Sequence, residues 1–169
     1  MQYTLSELNQ MKQEAFTEAL GTIFEHSPWV AKIAWQKRPF ADLSALHQTM
    51  VGVVQTASKE QHLNLICAHP DLGTKAKMAE ASVKEQAGVG LDRLTPEEYQ
   101  RFNLLNQTYK DKFGFPFIIA VKNHTKDSIL AAFVERIKNS PEAEMAQALT
   151  EIAEIAKFRL NDLIIGKNS

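Results

Sequence analysis

The chain has 169 residues, of which 44% are apolar and 23% charged, and its formal net charge is -1. These values are typical of one globular domain with a single core, and the low counts of 7 Gly and 6 Pro leave no room for a long disordered arm. A chain this close to neutrality lacks the basic surface that phosphate recognition requires, so we expect no nucleic-acid partner. No apolar run reaches membrane-spanning length and the N-terminus has no leader pattern, so we expect no membrane contact and a cytoplasmic location.

Cysteine and histidine spacing argues against disulfide and metal chemistry. Cys67 is the only cysteine, and its place after Leu65-Ile66 predicts a small buried hydrophobic residue rather than a catalytic thiol. The five histidines are scattered without the spacing of metal ligands, so no metal is expected.

Apolar periodicity and helix caps predict helices in the first part of the chain. Thr4 or Ser6 can cap a first helix that runs, with a break, to Phe24. Ser27 is the predicted N-cap of the next helix, with Pro28 at its first helical position.

A helical period then continues from Asp42 to the step at His69-Pro70, and residues 75–85 have the composition of a short, half-exposed helix. Thr95-Pro96-Glu97-Glu98 is a helix start with Thr95 as its cap, and Gly114 should end that helix.

Residues 115–121, Phe-Pro-Phe-Ile-Ile-Ala-Val, have strand composition but no second run with which to pair. We therefore expect a buried extended segment whose main-chain groups are free to bond something other than a sheet. Two more helices are predicted, one capped by Asp127 and one that begins at Ser140-Pro141 and reaches about Ile165. The prediction is an all-α fold: one domain over residues 1–169, a helical bundle of seven to nine helices, with a short extended segment near 116–121.

The candidate chemistry lies between the His69-Pro70 step and Gly88. This segment holds His69, Ser82, Glu85 and Gln86 with little apolar filling, and non-helical backbone at its ends can direct polar groups into a cleft. Histidine titrates near neutral pH, and a carboxylate such as Glu85 can fix its tautomer, which favours acid–base chemistry. Two alternatives stay open, that His69 is a solvated helix end and that Ser82 is an N-cap.

Arg159 is the second candidate. It lies four residues after Ile155 and four before Leu163, beside the apolar stripe of the last helix. An inward arginine needs an anion or a ring of carbonyl oxygens to compensate its charge. The alternative is that the aliphatic part of the side chain packs on the core while the guanidinium stays in water.

Three motifs and this arginine together resemble a known family, and the likeness extends over nearly the whole chain. The motifs are Ala68-His69-Pro70-Asp71-Leu72, Ser82-x-x-Glu85-Gln86-x-x-x-Gly90 and Phe113-Gly114-Phe115-Pro116-Phe117-Ile118. In this order and spacing they resemble the 2-oxo-4-hydroxy-4-carboxy-5-ureidoimidazoline (OHCU) decarboxylases of urate breakdown.

The resemblance implies an all-α fold and a cofactor-free decarboxylation that converts OHCU to (S)-allantoin and carbon dioxide. It also implies that His69 and Glu85 are the catalytic pair. The residues that it implies around the substrate are Pro70, Ser82, Gln86, Ile118, Ile119, Ala120 and Arg159.

Two other classes of function stay open: a hydrolase or isomerase that acts on a related ureido compound, and a catalytically inactive helical binding module. The oligomeric state is also open, since the tryptophans and phenylalanines near the N-terminus could serve a homodimer contact as readily as a core.

Overall fold

The computed structural model describes residues 1–75 and 78–166. Within these ranges it contains nine α-helices, two 3-10 turns and one pair of two-residue strands, which confirms the all-α prediction. None of the described helices combines the length and apolar character needed to cross a membrane. The chain divides into two compact units, one made of Met1–Leu65 with the chain from Ala153 onward and the other of Ile66–Ile152.

The first unit begins and ends with its two short strands. Strands β1 and β2 pair in parallel, with Tyr3 opposite Ile164 and Thr4 opposite Ile165. The last helix therefore ends at Leu163, two residues before the predicted end, because the chain turns extended to form this pair. The elements of this unit are β1 (Tyr3–Thr4), α1 (Leu5–Gln10), α2 (Gln13–Leu20), α3 (Trp29–Ala34), α4 (Leu43–Gln55), most of α5 (Lys59–Cys67), the second half of α9 (Pro141–Leu163) and β2 (Ile164–Ile165).

Two predicted helix starts in this unit have different outcomes. Thr4 caps α1, and its side chain accepts from the N–H of Glu7 while the Glu7 carboxylate accepts from the N–H of Thr4. The prediction that Ser27 caps α3 is wrong. Its hydroxyl instead donates to the carbonyl oxygen of Glu25 at 2.8 Å, and Pro28 occupies the cap position without a side-chain bond.

Phenylalanines form the core of the first unit. Phe16, Phe24 and Phe40 are buried, and the rings of Phe16 and Phe40 stack at 6.0 Å between centroids. Trp35 is half-buried and its indole N–H donates to the carbonyl oxygen of Met11 at 2.9 Å. These phenylalanines are thus part of the core, and they are not available for a subunit contact.

The second unit contains α6 (Glu80–Gly88), α7 (Pro96–Phe113), α8 (Lys126–Arg136) and the first half of α9. Helix α7 begins and ends as predicted, with a capping box between Thr95 and Glu98 and a left-handed Gly114 at its end. Within the predicted helix over 75–85, the described helix starts only at Glu80, and residues 76 and 77 lie outside the described ranges.

Helices α8 and α9 are both capped by a hydroxyl. The prediction that Asp127 caps α8 is wrong, because Thr125 is the cap and its hydroxyl accepts from the N–H of Ser128. Ser140 caps α9 as predicted and accepts from the N–H of Ala143.

Tyr109 is the centre of an aromatic cluster in this unit. Its ring centroid lies between 4.4 and 6.3 Å from those of Phe113, Phe115, Phe117 and Phe133. Residues 115–120 are all buried and none of them is in a strand. The prediction of a buried extended segment is therefore confirmed over 115–120, while Val121 begins a 3-10 turn. The aromatic cluster holds the first half of this segment.

Candidate active site

His69 lies in the loop that follows α5. The helix ends at Cys67, and the main-chain N–H of His69 donates to the carbonyl oxygen of Ile66 at 3.1 Å. Pro70 cannot continue a helix, so the chain turns away at this step. His69 is only 8% exposed, which rules out a plain solvated helix end.

Gln86 binds this loop to α6 through both atoms of its side-chain amide. Its Oε1 accepts from the N–H of Gly73 at 3.0 Å, and its Nε2 donates to the carbonyl oxygen of Asp71 at 3.2 Å. Gln86 is 5% exposed, so water competes little for these bonds. The loop that carries His69 is thereby fixed to the helix that carries Glu85.

Helix α7 holds the same loop from a second direction. Asn106 Nδ2 donates to the carbonyl oxygen of Leu72 at 2.9 Å, and the ammonium of Lys110 lies 2.7 Å from a carboxylate oxygen of Asp71. Neither residue has a predicted role from the sequence. Asn106 lies on a buried face of α7 among aromatic residues, and a polar residue in such a place was the signal that could have identified it.

On α6 the polar candidates share one side of the helix. Ser82, Glu85 and Gln86 are three and four residues apart, which places them on one face. Ser82 is 4% exposed and Glu85 is half-buried. The alternative that Ser82 caps this helix is wrong, since the helix begins at Glu80 with Ala79 in the cap position.

The extended segment reaches the same region. Ile118, Ile119 and Ala120 are all buried, and the 3-10 turn that follows them, Val121–Asn123, packs against α6. The prediction that the main chain here bonds something other than a sheet is confirmed at two atoms. The carbonyl oxygen of Ile118 accepts from Arg136 at 2.6 Å, and the N–H of Ala120 donates to Glu151 at 3.0 Å.

The second unit therefore contains all the predicted site residues except Arg159: the loop with His69 and Pro70, the face of α6 with Ser82, Glu85 and Gln86, and the chain over 118–120. A separate cleft of about 300 Å³ in this unit is lined by Gly73, Lys75, Leu91 and Tyr99, among other residues. Its described lining includes none of the predicted catalytic residues, so we place the candidate site at the loop and α6.

Arg159 belongs to the first unit, where it is 7% exposed on α9. Its Nη2 lies 3.1 Å from a carboxylate oxygen of Glu25, and Nη1 lies 3.4 Å from the carbonyl oxygens of Thr22 and Ile23. The prediction of an inward arginine with a compensating anion is confirmed, and the alternative that its guanidinium stays in water is wrong. That anion is Glu25, for which the sequence motifs predict no role.

Cys67 precedes the site and its side chain is exposed, so the predicted burial is wrong. Desolvation still raises the pKa of its thiol, which disfavours the reactive thiolate. Over residues 1–75 and 78–166 there is no group of three His, Cys, Asp or Glu side chains that could hold a metal ion.

Comparison with known proteins connects this arrangement to one family. The sequence model of the OHCU decarboxylase family matches residues 9–161. The chain is 46% identical to 2-oxo-4-hydroxy-4-carboxy-5-ureidoimidazoline decarboxylase of Halalkalicoccus jeotgali, over 98% of this chain and 94% of that protein. It is 48% identical to the uric acid degradation bifunctional protein PucL of Bacillus subtilis, over 98% of this chain but only 33% of that protein.

A solved structure extends the likeness to the fold. The crystal structure of an (S)-allantoin synthase matches with a TM-score of 0.78 and 36% identity, over 95% of this chain and 53% of that chain. The present chain thus spans about a third of one two-function relative and about half of this solved chain, but nearly all of the H. jeotgali enzyme. By the family model and by these identities, the chain belongs to the OHCU decarboxylase family.

Proposed function

We propose that His69 and Glu85 are the acid–base pair of a cofactor-independent decarboxylation. The enzyme is a carboxy-lyase that converts OHCU to (S)-allantoin and carbon dioxide in urate degradation. The observation that carries the assignment of the pair is the Gln86 bridge, because it ties the loop with a buried His69 to the helix with Glu85. A pair that is held in place before substrate binds loses little entropy in the transition state.

The reaction requires from the protein proton transfer and orientation of the substrate. Loss of carbon dioxide from the ring carbon that bears the hydroxyl and carboxylate pushes its electron pair into the neighbouring C=N bond. The substrate is therefore its own electron sink and does not need the carbanion stabilisation that cofactors supply. His69 takes the hydroxyl proton as the carboxylate leaves, and Glu85 stabilises the imidazolium that forms. Two protons then complete the product: one is delivered to one face of the adjacent carbon, and one from solvent goes to the ring nitrogen that received the electron pair.

The remaining predicted residues would hold the substrate. Gln86 uses one of its two amide hydrogens for Asp71, so the second can bind a carboxylate or ring oxygen. Ile119 lies between the two anchored main-chain groups of Ile118 and Ala120, and we expect its main chain to meet the ring or ureido amide. Pro70 and Ser82 would line the same pocket, and Arg159 would bind the ureido and ring carbonyls with charge-assisted hydrogen bonds.

The test is the activity of His69→Asn with freshly prepared substrate. Urate is oxidised and the product is hydrolysed by a ring hydrolase to give OHCU. This solution is added to the protein, and the optical signal of (S)-allantoin is followed. We expect kcat to fall by about 100-fold or more, which is the size of a general acid–base contribution. Turnover at the wild-type rate would remove His69 from the mechanism.

His26→Asn is the matched control for this substitution. His26 is exposed and has a positive φ of 46°, a conformation that asparagine tolerates well. The kcat and KM of His26→Asn should equal those of the wild type.

The same assay also tests the stereochemistry. If the wild-type protein releases carbon dioxide without producing optical activity, the decarboxylation stands, but delivery of the proton to one face is contradicted.

Two predictions from the sequence are kept here as proposals. We propose a cytoplasmic location, and we keep a homodimer as one of the oligomeric states that the sequence leaves open. Light scattering after size-exclusion chromatography would decide the second, and a mass of one chain would contradict it.

A further inference from the structure

The main chain over 118–120 is anchored at two atoms by side chains from different helices. Arg136 on α8 donates from Nη1 to the carbonyl oxygen of Ile118 at 2.6 Å, and Glu151 on α9 accepts from the N–H of Ala120 at 3.0 Å. A buried segment outside a sheet must find partners for its main-chain groups elsewhere. These two bonds take the place of a neighbouring strand.

Arg136 is itself held by a buried carboxylate. Its Nε lies 2.9 Å from Oε1 of Glu144, which is fully buried and also accepts from the hydroxyl of Tyr109 at 2.6 Å and from Nδ2 of Asn139 at 2.9 Å. The guanidinium lies 4.3 Å from the centre of the Phe117 ring. With two directed bonds and a ring contact, the planar guanidinium has one orientation, and it presents Nη1 to Ile118.

Glu151 is oriented in a similar way. Its Oε2 accepts from Nε2 of Gln147, one turn earlier on α9, at 2.9 Å. This bond turns the other oxygen, Oε1, toward Ala120. Glu151 is half-buried, so it can be substituted at a lower cost to folding than the buried Glu144.

We propose that Arg136 and Glu151 are positioning residues of the decarboxylase, which fix the substrate-facing main chain at residues 118–120. The inference rests on the proposed function, in which this segment meets the substrate. The structural link between this segment and the site is the turn Val121–Asn123, which continues the segment and packs against α6. A shift of the anchored chain changes its distance to Ser82 and Gln86 on that helix, and an error of about 1 Å in such a contact weakens binding and orientation.

Glu151→Ala is the principal test. The substitution leaves the N–H of Ala120 without its acceptor, and we expect KM for OHCU to rise about 10-fold while kcat changes by less than about 3-fold. Glu151→Gln keeps an oxygen that can accept this bond, so its KM should stay near the wild-type value. Glu135→Ala is the control, since that carboxylate is 74% exposed on α8 and pairs only with Lys138 among the described contacts.

Two results would overturn the proposal. One is a wild-type KM in Glu151→Ala, and the other is an equal loss in Glu151→Gln, since that variant still has the acceptor oxygen. A fall in kcat alone, with KM unchanged, would indicate general loss of folded protein and also count against it.

Arg136→Lys tests the second anchor independently. Lysine keeps the charge beside Glu144, but it has no planar fork that can donate to Glu144 and Ile118 together. We expect KM to rise in this variant as well, with the near-ultraviolet circular dichroism of the folded protein retained. If Arg136→Lys is folded and has a wild-type KM, Arg136 has no positioning role.

Hydrogen exchange at the amide of Ala120 separates failure of the anchor from failure of the proposed site. Faster exchange in Glu151→Ala with an unchanged KM would mean that the anchor exists but the segment does not meet the substrate. Unchanged exchange with an unchanged KM would mean that Glu151 does not hold the segment at all. The activity of His69→Asn, measured in the same assay, reports on the acid–base pair alone.

Discussion

The side-chain oxygen of Gln86 accepts a hydrogen bond of 3.0 Å from the main-chain N–H of Gly73, across 13 residues of sequence. The other end of the same amide donates to the carbonyl oxygen of Asp71. One residue of α6 thus satisfies two main-chain groups of the loop that carries His69. The family motif that joins a Glu-Gln pair to an upstream His-Pro step has a physical basis in this bridge.

Gln86→Ala should destabilise the protein because it leaves the N–H of Gly73 buried without an acceptor. A buried donor without a partner costs about 1–3 kcal/mol, and the free energy of unfolding in urea should fall by this amount. The loop with His69 loses its bond to α6, so kcat should fall as well. Gln100→Ala is the control, because Gln100 is exposed on α7. Unchanged stability together with unchanged kcat would contradict the bridging role.

Gly73→Ala tests the same loop through its backbone. Gly73 has φ of +69°, which alanine adopts with strain, and a Cβ there would lie 2.7 Å from Cδ1 of Leu94. We expect a loss of about 1–2 kcal/mol in the free energy of unfolding. Gly52→Ala is the matched control, since a Cβ at that position inside α4 meets no atom within 4 Å. Alanine favours the helix, so this variant should gain about 0.5–1 kcal/mol.

Arg159→Ala should raise KM and also destabilise the protein. Glu25 is 2% exposed, and its carboxylate pairs with Arg159 Nη2 at 3.1 Å. The substitution removes this ion pair from a buried charge. Removal of one partner of a buried pair costs about 3–5 kcal/mol, so thermal unfolding should move to a clearly lower temperature.

The double variant Arg159→Ala with Glu25→Ala separates these two effects. Loss of the second charge should restore part of the stability, whereas KM should stay high because the guanidinium is still missing. A double variant with normal KM would mean that the rise in Arg159→Ala came from the loss of the ion pair with Glu25 and not from a lost substrate contact.

Stability should fall in strongly alkaline solution because of Tyr109. Burial first, and then its hydrogen bond to Glu144, raise the pKa of this phenol above its ordinary value of 10.0. The group is neutral in the folded protein while the same tyrosine ionises in the unfolded chain once the pH exceeds about 10. Its contribution is therefore complete below pH 10 and is lost progressively above it.

The measurement is the free energy of unfolding in urea between pH 8 and pH 11, for wild type and Tyr109→Phe. The variant loses one buried hydrogen bond, which should cost about 1–2 kcal/mol at pH 8. Its decline above pH 10 should be shallower than that of the wild type. Equal slopes in the two proteins would show that other groups cause the alkaline loss.

Local chemistry determined several helix boundaries directly from the sequence. Thr95, Pro96 and Glu98 start α7 as predicted, because a capping box satisfies the free N–H groups within four residues of chain. The same local reasoning failed at Ser27 and Asp127. Both residue types are good caps, but the Ser27 hydroxyl bonds the carbonyl oxygen of Glu25, and Thr125 already caps α8.

The sequence by itself determined the all-α class, the burial of the chain over 115–120 and the residues that carry the family motifs. These follow from periodicity, cap chemistry and residue types, which act over a few neighbouring positions. Only the tertiary structure decided which partners those residues have. Ile118 is bonded to Arg136, 18 residues away, Ala120 to Glu151, 31 away, and Arg159 to Glu25, 134 away. Such pairs depend on how the helices pack, and no local pattern in the chain encodes the distance between two side chains that far apart.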